Sequence, residues 1–154
     1  MTISFSSLRG QYQGVFISET DSNTFVNINR TNIEIYQVLD NFGVEDILER
    51  NLILKSKYEI VSDTIIFSQN EEQLCFQIIT EDIIQIKSEI KHHISCNTKF
   101  YCTRKKDENG KILYFGKWKD GQKDGDWLYI NEVGQRLKVT YDKGKKIGQT
   151  ILEE

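Results

Sequence analysis

The chain of 154 residues contains no proline at all. Nothing in it therefore lacks a backbone donor, and no stretch is barred from the interior of a sheet on that account. Histidine is nearly absent: two residues, fused in the dipeptide His92-His93. Acid–base and triad schemes that need a separately placed imidazole are largely excluded. The three cysteines, Cys75, Cys96 and Cys102, are odd in number and form no C-x-x-C pair. That argues against a disulfide framework and for a reducing, cytoplasmic setting. No run of 18 apolar residues occurs, so no transmembrane helix is expected. The opening Met1–Gly10 has neither a basic start nor a long apolar stretch, so no secretory signal is expected. Phosphate-cradling patterns of the G-x-x-x-x-G-K-[ST] or G-x-G-x-x-G type do not stand between a strand and a helix.

Charge is present but divided. Residues 1–98 carry 7 Lys/Arg against 14 Asp/Glu, a net of −7, while residues 99–154 carry 13 against 9, a net of +4. An acidic body with a mildly basic end is not the footprint of a nucleic-acid binder, and no nucleic-acid partner is expected. Hydrophobic residues at 38 % and charged residues at 28 % describe a globular chain.

Short apolar/polar alternations separated by turn signals run through the first two thirds, the pattern of antiparallel β-structure. Tyr12, Gly14 and Phe16 share one face, and Leu74, Phe76 and Ile78 share another. Isoleucine, valine and aromatic residues dominate these runs, as in strands generally. Residues 44–51 are acidic early, with Val44, Ile47 and Leu48 at helical spacing, and predict the one short helix. Residues 88–98 break the alternation and read as a connector. The expectation is an all-β fold: an antiparallel sheet or barrel-like body over 1–98, continued by β-hairpins over 99–154.

From residue 109 the glycines become periodic. Asn109-Gly110 marks a hairpin. Tyr114-x-Gly116-x-Trp118-x-x-Gly121-x-x-x-Gly125 is followed by Leu137-x-Val139-x-Tyr141-x-x-Gly144-x-x-x-Gly148. Trp118 and Tyr141, Gly121 and Gly144, and Gly125 and Gly148 are each 23 positions apart in the sequence, which marks a repeat. Alternation places Tyr114, Gly116 and Trp118 on one face of a strand, with Gly116 leaving room for rings. Trp127 and Tyr129 share a face of the return strand.

The first copy resembles the MORN repeat, Y-x-G-x-W-x-x-G-x-x-x-G, and Gly121–Ile130 resembles its bacterial, antitoxin-like variant. The second copy departs from it, with Leu137, Val139 and Tyr141 in place of tyrosine, glycine and tryptophan. The resemblance covers about 110–150 and implies an interaction or scaffolding surface without catalytic residues. The strand rhythm and Gly10, Tyr12 and Gly14 give the N-terminal part a fainter similarity to small lipocalin-like bacterial domains.

Candidate chemistry is sparse. His92, His93, Cys96 and Cys102 are metal-ligand types, but adjacent histidines in extended chain point to opposite sides, so no metal site is expected. Cys75 lies between Leu74 and Phe76 with no histidine near it in sequence and reads as a packing residue. Glu71-Glu72, Glu81-Asp82 and Glu45-Asp46 fall at turns or the helix start and read as solvated carboxylates. The basic clusters Arg104–Lys106 and Lys143–Lys146 lie at or near hairpin tips. No catalytic residue and no cofactor is expected.

The functional expectation is a non-enzymatic protein-binding module, most concretely immunity- or antitoxin-like. Its partner-binding candidates are Trp118, Trp127, Tyr129 and Tyr141, because Trp and Tyr dominate interface energetics. Two alternatives stand beside it. One is a small-molecule-binding barrel with a cavity lined by Phe16, Ile35, Phe67 and Phe76. The other is a structural repeat docked on a larger assembly.

Overall fold

The computed structural model describes residues 12–20, 23–39 and 49–152. These residues form thirteen antiparallel strands and no helix. The strands are β1 (Gly14–Ser18), β2 (Thr24–Ile28), β3 (Asn32–Leu39), β4 (Glu49–Lys57), β5 (Glu59–Val61), β6 (Thr64–Gln69), β7 (Glu72–Thr80) and β8 (Ile83–Ile86). After the connector come β9 (Lys99–Lys106), β10 (Ile112–Lys119), β11 (Gln122–Ile130), β12 (Arg136–Asp142) and β13 (Lys145–Leu152).

The helix expected over 44–51 needs correction at its end. Residues 44–48 lie outside the described residues, but Glu49, Arg50 and Asn51 are extended and open β4, opposite Leu39, Val38 and Gln37 of β3. A ladder partner outweighs a weak local helical pattern.

Alternation decides which side chains go inside. In β1 and β2 every second residue is buried, which turns Phe16, Val26 and Ile28 inward. Ile33 and Ile35 of β3, Ile65 of β6 and Phe76 of β7 meet them at 0 % exposure. The core is dense in rings: Phe67 stacks on Phe76 at 5.3 Å, and Phe76 meets Phe100 edge-on at 5.7 Å. The connector contributes as well, because Ile90 and Ile94, bridged to each other, plug into the same core.

β9 organises the whole sheet. One of its edges pairs with β1 from Gly14↔Lys105 to Ser18↔Phe100. Its other edge is divided between two strands. Lys99–Tyr101 pair with β8, whereas Arg104–Lys106 pair with β10. The sheet therefore forks. One limb runs β8-β7-β6-β5, the second runs β10-β11-β12-β13, and β1-β2-β3-β4 extends from the opposite edge. The β1–β4 and β8–β5 limbs curl over one core until Ser68 N donates to Ser56 Oγ at 3.2 Å across β6 and β4. No β4–β6 ladder forms among the described residues, so the body is an open, curled sheet and not a closed barrel.

The turn between β7 and β8 wedges into the fork. Asp82 O accepts from Cys102 N at 2.8 Å, and Glu81 O accepts from Lys105 Nζ at 3.0 Å. Asp82 Oδ1 accepts a hydrogen bond from Tyr114 Oη. Lys105 is only 4 % exposed. Burial pulls its ammonium below the usual lysine range, opposed by the charges of Asp82 and Glu81.

The two C-terminal hairpins repeat one tip. Asp120-Gly121 and Lys143-Gly144 both have positive φ at both residues, 51° and 76° in the first and 49° and 82° in the second. This is the two-residue turn whose twist matches a hairpin, and glycine takes its second position without strain.

Candidate binding surfaces

The hairpin sheet presents two faces, and the alternation of β10 separates them. Tyr114, Gly116 and Trp118 point one way; Leu113, Phe115 and Lys117 point the other.

The first face is an aromatic layer containing all four partner-binding candidates. Trp127 is its centre and is fully buried. The indole lies over Gly116, where an added Cβ would come within 2.2 Å of Trp127 Cδ2. The glycine expected to make room for rings thus makes room for this one. Trp127 Nε1 donates to Lys117 O at 3.1 Å. Trp118 is half-buried, meets Trp127 edge-on at 5.8 Å, stacks on Tyr101 at 5.0 Å and donates to Cys102 O at 2.7 Å. Tyr129 and Tyr141 are half-buried, with hydroxyl oxygens 2.9 Å apart. Burial raises the pKa of Tyr114, and the hydrogen bond to Asp82 raises it further. Burial likewise raises Tyr129 and Tyr141. These hydroxyls stay protonated donors at neutral pH.

The four candidates are thus one contiguous layer, but they differ in access. With Lys123 Nζ 4.8 Å from its ring centre, Trp127 keeps no exposed surface, whereas Trp118, Tyr129 and Tyr141 keep part of theirs. Trp118 and Tyr101 also border a hollow of about 650 Å³ edged by Glu19 and Asp120.

The second face holds an open groove of about 780 Å³ across the junction of body and hairpins. Its apolar lining comes from β1, β2, β3 and β10: Val15, Phe25, Tyr36 and Phe115. Phe25 and Tyr36 stack at 5.8 Å, and the Arg104 guanidinium lies 5.8 Å from the centre of the Phe115 ring. Lys106 and Lys117 add positive charge to the lining, and Asp124 and Asp126 add negative charge. Residue-type reasoning missed this groove because its walls come from strands about 90 positions apart in sequence. A signal was available. Val15, Phe25, Tyr36 and Phe115 are apolar at outward positions, and strands apolar on both sides tend to be covered on both.

The remaining candidates fall elsewhere. His92, His93 and Cys96 are exposed on the connector, whereas Cys102 lies in the core. Among the described residues no three His, Cys, Asp or Glu side chains converge as metal ligands would. Burial pushes the Cys102 thiol up to about 12. Phe16, Ile35, Phe67 and Phe76 are core residues, each at most 3 % exposed. Among the described residues no helix is long and apolar enough to cross a membrane.

No family model, no curated protein and no solved structure matches this chain.

Proposed function

We propose that the protein is a non-enzymatic binding module that seats a protein partner in the groove between its body and its hairpins. The observation that carries this reading is the groove itself: an open, apolar floor of Val15, Phe25, Tyr36 and Phe115 with charges of both signs in its lining. An apolar lining that also carries charged groups is compatible with the anatomy of a protein interface. Phe115 keeps 37 % of its surface exposed although it is a large aromatic residue, as an anchor awaiting a partner pocket does.

The MORN-like character of the hairpins supports the same reading, because such repeats serve as interaction surfaces. An immunity- or antitoxin-like role is its most concrete version. The net −7 of residues 1–98 then covers a basic surface of a toxin, and steric and electrostatic complementarity do the work. The unpaired cysteines fit a cytoplasmic setting. The dense packing of Phe16, Ile35, Phe67 and Phe76 favours this reading over a ligand carried inside the body.

The test places a photo-crosslinking amino acid at Phe115 and, as control, at Val133 in the turn between β11 and β12. The protein is irradiated in its own cells and its adducts are weighed. One polypeptide attached in fixed ratio from position 115, absent from 133 and lost with Phe25→Asp, is the expected result. No adduct from 115, or one indifferent to Phe25→Asp, removes the proposal.

A further inference from the structure

On the opposite face of the hairpins a cation stands in an aromatic enclosure. Lys123 lies on β11 directly across from Trp118. Its Nζ is 4.8 Å from the centre of the Trp127 ring, 5.4 Å from those of Tyr114 and Tyr141, and 5.6 Å from that of Tyr129. Tyr114, Trp127 and Tyr129 are inclined to one another by 31° to 45° and make a floor. Tyr141, from the next hairpin, stands at 80° to Trp127 and makes a wall. The positively charged group thus faces four rings whose electron-rich surfaces attract it.

The lysine fits this enclosure imperfectly. An ammonium has three donors and is strongly hydrated. Here one donor reaches Tyr129 Oη at 2.9 Å, and no carboxylate pairs with the ammonium among the described residues. The distances, ordinary for a lysine, also leave room for a bulkier cation. A methyl group on nitrogen adds a C–N bond of about 1.5 Å and needs about 3.5–4.0 Å of carbon contact, which sets nitrogen about 5–5.5 Å from a ring. The four observed distances, 4.8 to 5.6 Å, span that value. A quaternary ammonium also has no donors to leave unsatisfied.

We propose that Tyr114, Trp127, Tyr129 and Tyr141 form a recognition cage for the quaternary ammonium group of a small soluble molecule, and that Lys123 fills the cage when that molecule is absent. The lysine acts as an internal competitor. Its stem is flexible, and it sits two residues from the Asp120-Gly121 tip, so its head can swing to solvent without disturbing the ladder. The ligand therefore binds weakly to the native chain and tightly once the competitor is removed. This site is independent of the groove, and either can fail without the other.

The experiment titrates tetramethylammonium and choline into the native chain, Lys123→Ala and Lys123→Ala/Tyr141→Ala by calorimetry, with chloride held constant. Lys123→Ala should bind at least about tenfold more tightly than the native chain, and loss of Tyr141 should cost at least about tenfold. A folded Lys123→Ala with no heat of binding, or equal binding by the double variant, overturns the proposal. Should the variants fail to fold, choline is added to the native chain and the Lys123 Cε protons are followed by NMR. They should leave ring-shifted positions for those of a solvated lysine; if they stay, the proposal falls. Phosphatidylcholine vesicles form a second arm. Cosedimentation that needs Tyr141, without binding of free choline, would put the ammonium on a lipid and overturn the soluble ligand.

Discussion

Replacing Gly116 with alanine tests how the repeat is packed. The φ of Gly116 is not left-handed, so alanine is acceptable to the backbone, and any cost comes from space alone. The new Cβ would lie 2.2, 2.4 and 2.5 Å from Cδ2, Cε2 and Cγ of Trp127. Carbon atoms rest about 3.5–4.0 Å apart, so the indole must rise by more than about 1 Å. It has no room to do so freely, because Trp118 and Tyr141 meet it edge-on at 5.8 and 6.2 Å. Overpacking of this kind costs about 1–3 kcal/mol. Breaking the Trp127 Nε1 bond to Lys117 O adds about 1 kcal/mol. The expected loss is about 2–4 kcal/mol, overlapping the lower part of the roughly 3–5 kcal/mol of deleting a buried tryptophan. Urea unfolding followed by far-ultraviolet circular dichroism measures it. The same substitution in a Trp127→Ala background should be nearly neutral, since the clashing ring is gone, giving a coupling of about 2–4 kcal/mol. A cost below about 1 kcal/mol in the native background, or an equal cost in both, would refute the account.

Three further outcomes follow from local geometry. The β6–β7 tip, Asn70-Glu71, has φ of 51° and 69°, the same turn as the C-terminal tips but without glycine. Glu71→Gly should stabilise by about 0.5–1 kcal/mol, as relief of left-handed strain exceeds glycine's extra unfolded entropy; a lower urea midpoint would contradict this. Cys102 is buried with its pKa raised to about 12 from 9.0. Its contribution is therefore complete below about pH 9 and is lost as pH rises towards 12. Tyr114, also raised, acts in the same sense above pH 10. Lys105, lowered from 10.5, acts in the opposite sense, since raising the pH to 10.5 lifts the penalty on its buried charge. Stability should decline across pH 9–12, and less steeply in Cys102→Ala. Iodoacetamide at about pH 8 should modify exposed Cys96 while Cys102 reacts only on the unfolding timescale; equal rates would show that Cys102 is not sealed.

The strands were legible because each buries one side, as the alternation of Phe16, Val26 and Ile35 announces. The hairpin tips were legible because only certain residues accept left-handed backbone, and Gly121 and Gly144 stand there. The contact between Gly116 and a ring was anticipated in kind, but the ring belongs to the return strand, which the register alone decides. The fork was not legible, since no residue of β9 signals that β8 and β10 share one edge. The start of β4 was missed because Glu49–Asn51 owe their extension to β3 and not to their own preference. The cage was hidden because Lys123 resembles any surface lysine until four rings are placed around it.

The division of the β9 edge also bears on the order in which a nascent chain can fold. Strand β1 leaves the ribosome well before β9, its partner on one side, which follows more than eighty positions later. Until Phe100 and Cys102 emerge, the core lacks a wall and β1 keeps an unpaired edge, the state in which β-rich chains meet chaperones or aggregate. The hairpins carry no such delay. Tyr114–Tyr129 and Leu137–Ile151 pair within about fifteen residues, so each can zip onto the sheet as it appears. The body can therefore be completed only once β9 is available, whereas the hairpins need only local pairings.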